Sequence, residues 1–449
     1  MQPKFQRAKF SDDYKYIIDS SGNKVSSGDR KVTHIWPHGG NGALMIENVF
    51  IKKGWQIRLC HTELNEAIQY GHRLSSGRGC SSFNYLTGSY YKDILDHPES
   101  SNISVYWGLD QEGPCQCGGW LDVWGVITDR LSLTNRILGP MVSLENNSLG
   151  QGNGFGLEIL MAIVLGDFFN EIENALKVAA KDTNSALQIF AGERDRVANS
   201  LQKTIYSAAS ALKKAAENLA RIPLKTKLKN IPKVLIFGGG AVSTVHVPVS
   251  TYFIEQGILT KVVGSIEFSL YLISESLRRF GYQRDISQFK QQGNILLMIA
   301  SLLSFKHSPK EVLLAINSAA TIQIIEWIGR YFSRILQKSG LLFNRWIPFG
   351  TIMEKSQSHL NPFVYCEAGV ALGRYMASVE QNDFDGLLHI ANFQCQRSIS
   401  VQPIMRKFSI SSSLPFSGLE LDGNQLTVNQ YRLLETLAFQ AKRCRESKG

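Results

Sequence analysis

The chain has 449 residues and a mass of 50.1 kDa, too long for one ordinary core, so two or three domains are expected. With 44% hydrophobic and 19% charged residues it can bury a sizeable interior, which excludes a disordered chain. Basic residues outnumber acidic ones 48 to 38, and the seven cysteines are too few for a disulfide scaffold, which points to a reducing compartment.

Residues 1–30 are polar, show little periodicity and lack the apolar centre of a signal peptide, so they read as a leader or a short edge element. Residues 32–36 read as a buried strand, followed by the turn Pro37-His38-Gly39-Gly40-Asn41-Gly42. Apolar spacing near 3.6 predicts a helix over 43–53, and a strand follows over 55–60. Strand, glycine turn, helix and strand form the βαβ pattern of a parallel sheet. A further strand is predicted at 103–109, with helices at 83–95 and 120–131. This first α/β lobe is placed at 31–165.

Residues 166–231 turn helical and alanine-rich. Val197, Leu201, Ile205, Ala208, Leu212, Ala216 and Leu219 recur at helical spacing, which predicts one apolar stripe on a long helix. Between Arg196 and Lys233 lie nine basic residues and a single acidic one, Glu217. This basic connector is a solvated helix face or a docking surface for a protein partner or a large anionic ligand. It lacks the interleaved aromatics that stack bases, so nucleic acid is not an expected partner.

The pattern restarts at 232–449, the second lobe. Strands are predicted at 233–237, 261–264, 384–390 and 415–421, and helices at 249–256, 401–407 and 429–442, with a helical insertion near 269–340. The fold class is therefore α/β, two doubly wound Rossmann-like or flavodoxin-like lobes with helical connecting and inserted segments. The halves share an order of elements without a residue-level repeat. The longest apolar runs, 155–169 and 295–305, fall short of the ~18–20 uninterrupted residues of a membrane helix, so no membrane span and a cytoplasmic location are expected.

Neither GxGxxG nor GxxxxGK[ST] is present, and there is no GxSxG or HExxH. Gly238-Gly239-Gly240 follows a strand and is a tight turn or a phosphate-receiving loop. The cysteines fall in informative places. Cys80 ends Gly77-Arg78-Gly79-Cys80 and directly precedes a helix. Cys115 and Cys117 sit in Gly113-Pro114-Cys115-Gln116-Cys117-Gly118-Gly119, and Cys395 in Asn392-Phe393-Gln394-Cys395. These are loops beyond strands or helix starts, where ligands bind in open α/β sheets and where the helix dipole favours a thiolate. Three thiolates from three loops do not make a closed zinc site, but they suit an iron–sulfur cluster with one iron left open. The competing reading is that they are small buried hydrophobes.

Taken in order, these loops resemble the 2-hydroxyacyl-CoA dehydratase and benzoyl-CoA reductase family, in its activase-related branch. The resemblance covers 34–192 and 232–441. It is carried by Gly77-Arg78-Gly79-Cys80 with Leu86-Thr87-Gly88, by Gly113-Pro114-Cys115-Gln116-Cys117-Gly118, by residues 385–395, and by Cys366-Glu367-Ala368-Gly369 and Glu420-Leu421-Asp422-Gly423. It implies that Cys80, Cys115 and Cys395 hold a [4Fe–4S] cluster, with Cys117 and Cys60 or Cys366 available for a double-cubane cluster. It also implies that an ATP-dependent activator protein supplies single low-potential electrons, and that an acyl-CoA thioester is dehydrated or reduced through a ketyl radical in a homo- or heterodimer. The chain departs from the family pattern where Ser81-Ser82-Phe83 and Asn392 replace prolines and Gln116 replaces arginine.

Glu367 and His38 are the polar residues expected to line the site. Glu367 is a proton carrier, a hydrogen-bond acceptor near the cluster or a helix cap; His38 is catalytic or structural. Cys60 reads as a strand-end core residue and Cys444 as part of a polar tail. Two further readings stay open: a non-catalytic electron-transfer subunit or assembly scaffold, and a zinc-stabilised binding protein.

Overall fold

The computed structural model describes residues 7–37, 40–77, 79–98, 102–107, 115–139, 148, 150–238, 246–279, 309–360, 367–393, 395–422 and 425–448. The segment read as a leader forms a three-stranded antiparallel meander, β1 (Lys9–Phe10), β2 (Tyr16–Ile18) and β3 (Lys24–Ser26). It is tied to the first lobe by the Ala8 N–H bond to the Thr134 carbonyl (2.8 Å) and by Ile17, which is fully buried.

The first lobe carries β4 (Val32–Pro37), α1 (Asn41–Lys52), β5 (Gln56–Cys60), α2 (Leu64–Leu74), α3 (Ser81–Asp96), β6 (Ile103–Trp107), α4 (Trp120–Arg130) and β7 (Arg136–Gly139). Its strands are all parallel in the order β5-β4-β6-β7. Successive side chains alternate between the two faces, so Val105 and Trp107 enter one core while Tyr106 enters another.

Three helices link the lobes: α5 (Asn153–Ala179), α6 (Thr183–Ser200) and α7 (Ile205–Leu219). Helix α5 runs unbroken across residues 165 and 166, and Gly166 lets it press onto the start of α1; a Cβ there would lie 2.3 Å from the Gly42 Cα. The single long helix expected over 197–219 is two. Thr204 caps α7, its side chain accepting from the Ser207 N–H, and this competes with helix continuation. The apolar stripe survives the break, since Val197, Leu201, Ala208, Leu212, Ala216 and Leu219 all enter one core.

The second lobe has β8 (Lys233–Phe237), α8 (Val247–Glu255), β9 (Leu259–Val262), α9 (Ser265–Arg279), α10 (Pro309–Leu336), α11 (Phe349–Gln357), α12 (Ala368–Gln381), β10 (Gly386–Asn392), α13 (Gln396–Ser411), β11 (Phe416–Leu421) and α14 (Val428–Lys448). Its strands are again parallel, in the order β11-β10-β8-β9. Counted from the first strand of each lobe, both sheets therefore read 2-1-3-4. The fold is the doubly wound α/β architecture expected, twice over.

The helical stretch Val312–Ser339, made of α10 from Val312 onward and the 3-10 turn that follows it, is long and apolar enough, by length and composition, to cross a membrane, which the apolar runs in the sequence did not suggest. Half of its most apolar part is buried inside the protein: Ala315, Ala319, Ile322, Ile325, Ile328, Phe332 and Leu336 enter the core built on α5 and α7. Its buried carboxylate, Glu326, accepts from the Phe349 N–H at 2.6 Å and the Trp346 indole at 3.0 Å. Polar groups satisfied in this way suit a helix packed inside protein.

Helix α5 also joins the lobes through charge. Asp167 accepts from the Ser265 and Ile266 N–H groups at the start of α9, satisfying donors that a helix cannot pair internally. Glu171 accepts from the Phe343 and Asn344 N–H groups and pairs with Lys261 of β9 at 2.7 Å. Burial raises the Asp167 carboxyl to about 6, against the pull of Lys261 and of the Ile266 and Ser265 N–H groups.

Candidate functional site

In a 2-1-3-4 sheet the crevice forms where crossovers diverge, between the first and third strands. The third strands here are β6 and β10. Cys115 comes after β6 in the chain, and Cys395 comes after β10. Each of the two cysteines thus follows the third strand of its lobe in chain order.

Cys80 comes from a different position, the junction between α2 and α3, where it is the N-cap of α3. Two glycines let the two helices cross tightly: a Cβ on Gly88 would lie 1.6 Å from the Ala67 carbonyl oxygen, and one on Gly71 2.0 Å from that of Asn84. Helix α4, which follows the Cys115 turn, packs on the same α3. The Trp120 indole donates to Thr87 Oγ1 at 3.2 Å and its ring lies 5.9 Å from that of Phe83. Cys395 is in turn the N-cap of α13.

These elements bring three thiols together. The Cys80 thiol is pushed up to about 11, chiefly by burial and further by negative charge on Cys115 and Cys395, while the Phe83 and Ser82 N–H groups favour its thiolate. The Cys80 sulfur therefore lies within electrostatic reach of both Cys115 and Cys395. Cys80, Cys115 and Cys395 are all half-buried.

The seam beside them is closed by hydrogen bonds between the lobes. Asn392 ends β10, and its Oδ1 accepts from Ser81 Oγ while its Nδ2 donates to Ser82 Oγ at 3.2 Å. Ser81 Oγ also lies 3.2 Å from the Leu421 carbonyl. The Phe393 N–H donates to that same carbonyl at 2.9 Å, and the Cys395 N–H to the Asn392 carbonyl at 3.0 Å. Ser81-Ser82 and Asn392, the positions where prolines were expected, meet each other directly.

Glu367 stands at the N-cap of α12 but makes no cap bond with its side chain. Its carboxylate instead forms a buried ion pair with Arg397, two residues beyond Cys395. Behind this pair, His389 of β10 is fully buried, with its ring 5.4 Å from Phe237 and its Nδ1 3.4 Å from the Gln402 amide. Burial first, and the Arg397 charge second, hold the imidazole down to about 3, so it is neutral. Arg397 and His389 were not singled out from sequence. An arginine two residues past a cysteine was the available signal for the first, and nothing local marks the second.

The remaining candidates separate clearly. Cys60 is a core residue: its thiol donates to the Ser89 carbonyl at 3.0 Å, and burial pushes it up to about 12. Cys444 packs half-buried at the edge of a core of the second lobe, in α14 rather than in a loose polar tail. His38 and Cys366 lie outside the described residues, as does the side chain of Cys117. The backbone of Cys117 is part of the 3-10 turn Gln116–Gly119.

Among the described residues, no three His, Cys, Asp or Glu side chains are drawn tightly enough to hold one metal ion. With Zn–S bonds of about 2.3 Å, sulfurs around a single zinc would nearly touch. A polynuclear cluster, held through different irons, asks for wider spacing. Cys80 lies within electrostatic reach of the other two thiols, and Cys80 and Cys395 stand at helix N-termini, a donor set compatible with the second case. The chain matches no protein-family model and no curated protein.

Proposed function

We propose that this protein is an iron–sulfur redox enzyme of the 2-hydroxyacyl-CoA dehydratase and benzoyl-CoA reductase type. Cys80, Cys115 and Cys395 would hold a [4Fe–4S] cluster. It would accept single low-potential electrons from an ATP-dependent activator and act on a small substrate, with an acyl-CoA thioester as the first to try. The observation that carries this reading is the convergence of three half-buried thiols from three separate loops at the seam between two doubly wound lobes.

When bound, the cluster would supply one-electron chemistry and, with three cysteine ligands, an iron open to a substrate oxygen. The chain's own residues prepare the place. The first N–H groups of α3 face the Cys80 sulfur and offset the cost of burying a thiolate, and α13 presents its N-terminus at Cys395. Glu367 pairs with the Arg397 guanidinium, two residues beyond Cys395, and so helps hold the start of α13 in place. With Cys115 following β6 and Cys395 following β10, such a site would draw on both lobes, and neither lobe would hold the cluster alone.

The test is iron and acid-labile sulfide measured on protein purified without oxygen, together with its visible absorption. Brown protein with about four irons per chain is expected. Colourless protein with neither iron nor sulfide would overturn the reading. Substrate-dependent oxidation after ATP-driven reduction separates an enzyme from an electron-transfer subunit or scaffold.

A further inference from the structure

We propose that Asn392 is a positioning residue: its side-chain amide clamps Ser81 and Ser82 and so sets the separation of Cys80 and Cys395 across the seam between the lobes. The inference rests on the cluster reading only for what it says of iron. The spacing of the two thiols belongs to the chain itself.

A side-chain amide offers an acceptor at one end and donors at the other. Asn392 uses both: Oδ1 accepts from Ser81 and Nδ2 donates to Ser82 at 3.2 Å. The two serines are the first residues of α3, immediately after Cys80. On the other side the Cys395 N–H returns to the Asn392 carbonyl at 3.0 Å, so the cysteine is tied to the residue that makes the clamp. From one cysteine to the other the path is one peptide link, one side-chain bond and one tight backbone turn.

Ser81, Ser82 and Asn392 are 2%, 7% and 5% exposed, so water does not compete for these groups. A buried polar group deprived of its partner is costly, which penalises any opening of the seam here. Apolar side chains would also close the gap, but contact area is non-directional and tolerates sliding. Hydrogen bonds hold donor and acceptor to a narrow range of distance and angle. Asn392 therefore does what a greasy contact would not: it specifies how far apart two ligand-bearing loops stand.

The experiment uses the full chain and its variants Asn392→Leu, Ser81→Ala and Ser82→Ala. Iron-free protein is treated with dibromobimane in mildly alkaline buffer, and the bridged Cys80–Cys395 peptide is quantified by mass spectrometry. Asn392→Leu removes both side-chain bonds and is expected to lower the bridged yield at least about fivefold, the population change typical of losing even one buried hydrogen bond. Each serine variant should give a smaller drop, and adding Ser82→Ala to Asn392→Leu should change nothing further, because the bond is already gone. An unchanged yield in Asn392→Leu overturns the clamp whether or not the protein holds iron. Should Asn392→Leu lack a cooperative melt, the Ser81→Ala/Ser82→Ala double variant takes its place: a lowered yield supports the clamp and an unchanged one overturns it. In anaerobic protein that holds iron, the variant should shift the electron paramagnetic resonance signature and the reduction potential. Wild type without iron or sulfide would sink the cluster reading and leave the bridging result standing.

Discussion

The two lobes repeat one topology and use it differently. In both, a helix packed through a glycine precedes the third strand: Gly88 of α3 against the Ala67 carbonyl, and Gly373 of α12 against the Ile352 carbonyl. In both, a cysteine follows that strand. The N-cap of the helix before the third strand is where they diverge. The first lobe places Cys80 there and the second Glu367, which is committed to Arg397. A repeated scaffold therefore supplies a thiol on one side and a charge pair on the other, which is how a pseudo-symmetric frame yields an asymmetric site.

The sharpest way to break this comparison is to remove the two cysteines that follow the third strands. Cys115→Ser and Cys395→Ser are each expected to abolish most of the iron and sulfide, to the same extent. A loss confined to one of them would mean that the lobes do not share a site. Next in size is Glu367→Gln, which leaves the buried Arg397 charge without this carboxylate. Losing one partner of such a pair typically costs about 3–5 kcal/mol. Cys80→Ser in the topologically matching position should cost little in urea unfolding, and similar losses for the two would erase the contrast.

The shared feature is probed by Gly88→Ala and Gly373→Ala. The added Cβ atoms would lie 1.6 and 1.8 Å from backbone carbonyl oxygens, so helix pairs must shift, at a typical cost of about 1–3 kcal/mol or more. Both variants should lower the urea midpoint alike. A weaker effect is expected from acid. Each sheet holds a buried histidine, His34 of β4 held down to about 4 chiefly by burial, and His389 of β10 to about 3. Each takes up its proton on unfolding, so stability is full above the ordinary value of 6.5 and falls as pH drops towards 4 and then 3. His34→Gln and His389→Gln should each flatten that acid limb in chemical denaturation measured from pH 7 to 4. The smallest effect belongs to Cys444→Ser, which should leave the iron content as it was.

Much of the frame was legible because parallel strands announce themselves locally. Residues 233–237 are a strand at the bounds read from their apolar run, and the helices starting near residues 43, 83 and 120 lie within two residues of the observed starts. What was illegible is non-local. The break between α6 and α7 depends on Thr204 winning a competition that apolar periodicity does not register. Helix α10 mixes Asn317, Ser318, Gln323 and Glu326 into its apolar surface, so no uninterrupted run marks it. Buried Lys261, Glu171 and Arg374 read as surface residues until their partners are placed.

The cysteine loops could be singled out because glycine, cysteine and helix starts are a local pattern. Their meeting could not, since Ser81 and Asn392 are 311 residues apart in the chain. The serines and the asparagine looked like losses relative to the family pattern. In three dimensions they are one contact.

Helix α5 carries a last consequence. It caps α9, grips β9 through Lys261 and holds the Phe343-Asn344 turn, all in the second half of the chain, while its other face packs on α1 in the first. The covalent link through the exposed lysines at 225–229 is thus redundant with a noncovalent splice. Two fragments made by cutting there and expressed together should find each other and behave as one particle in gel filtration.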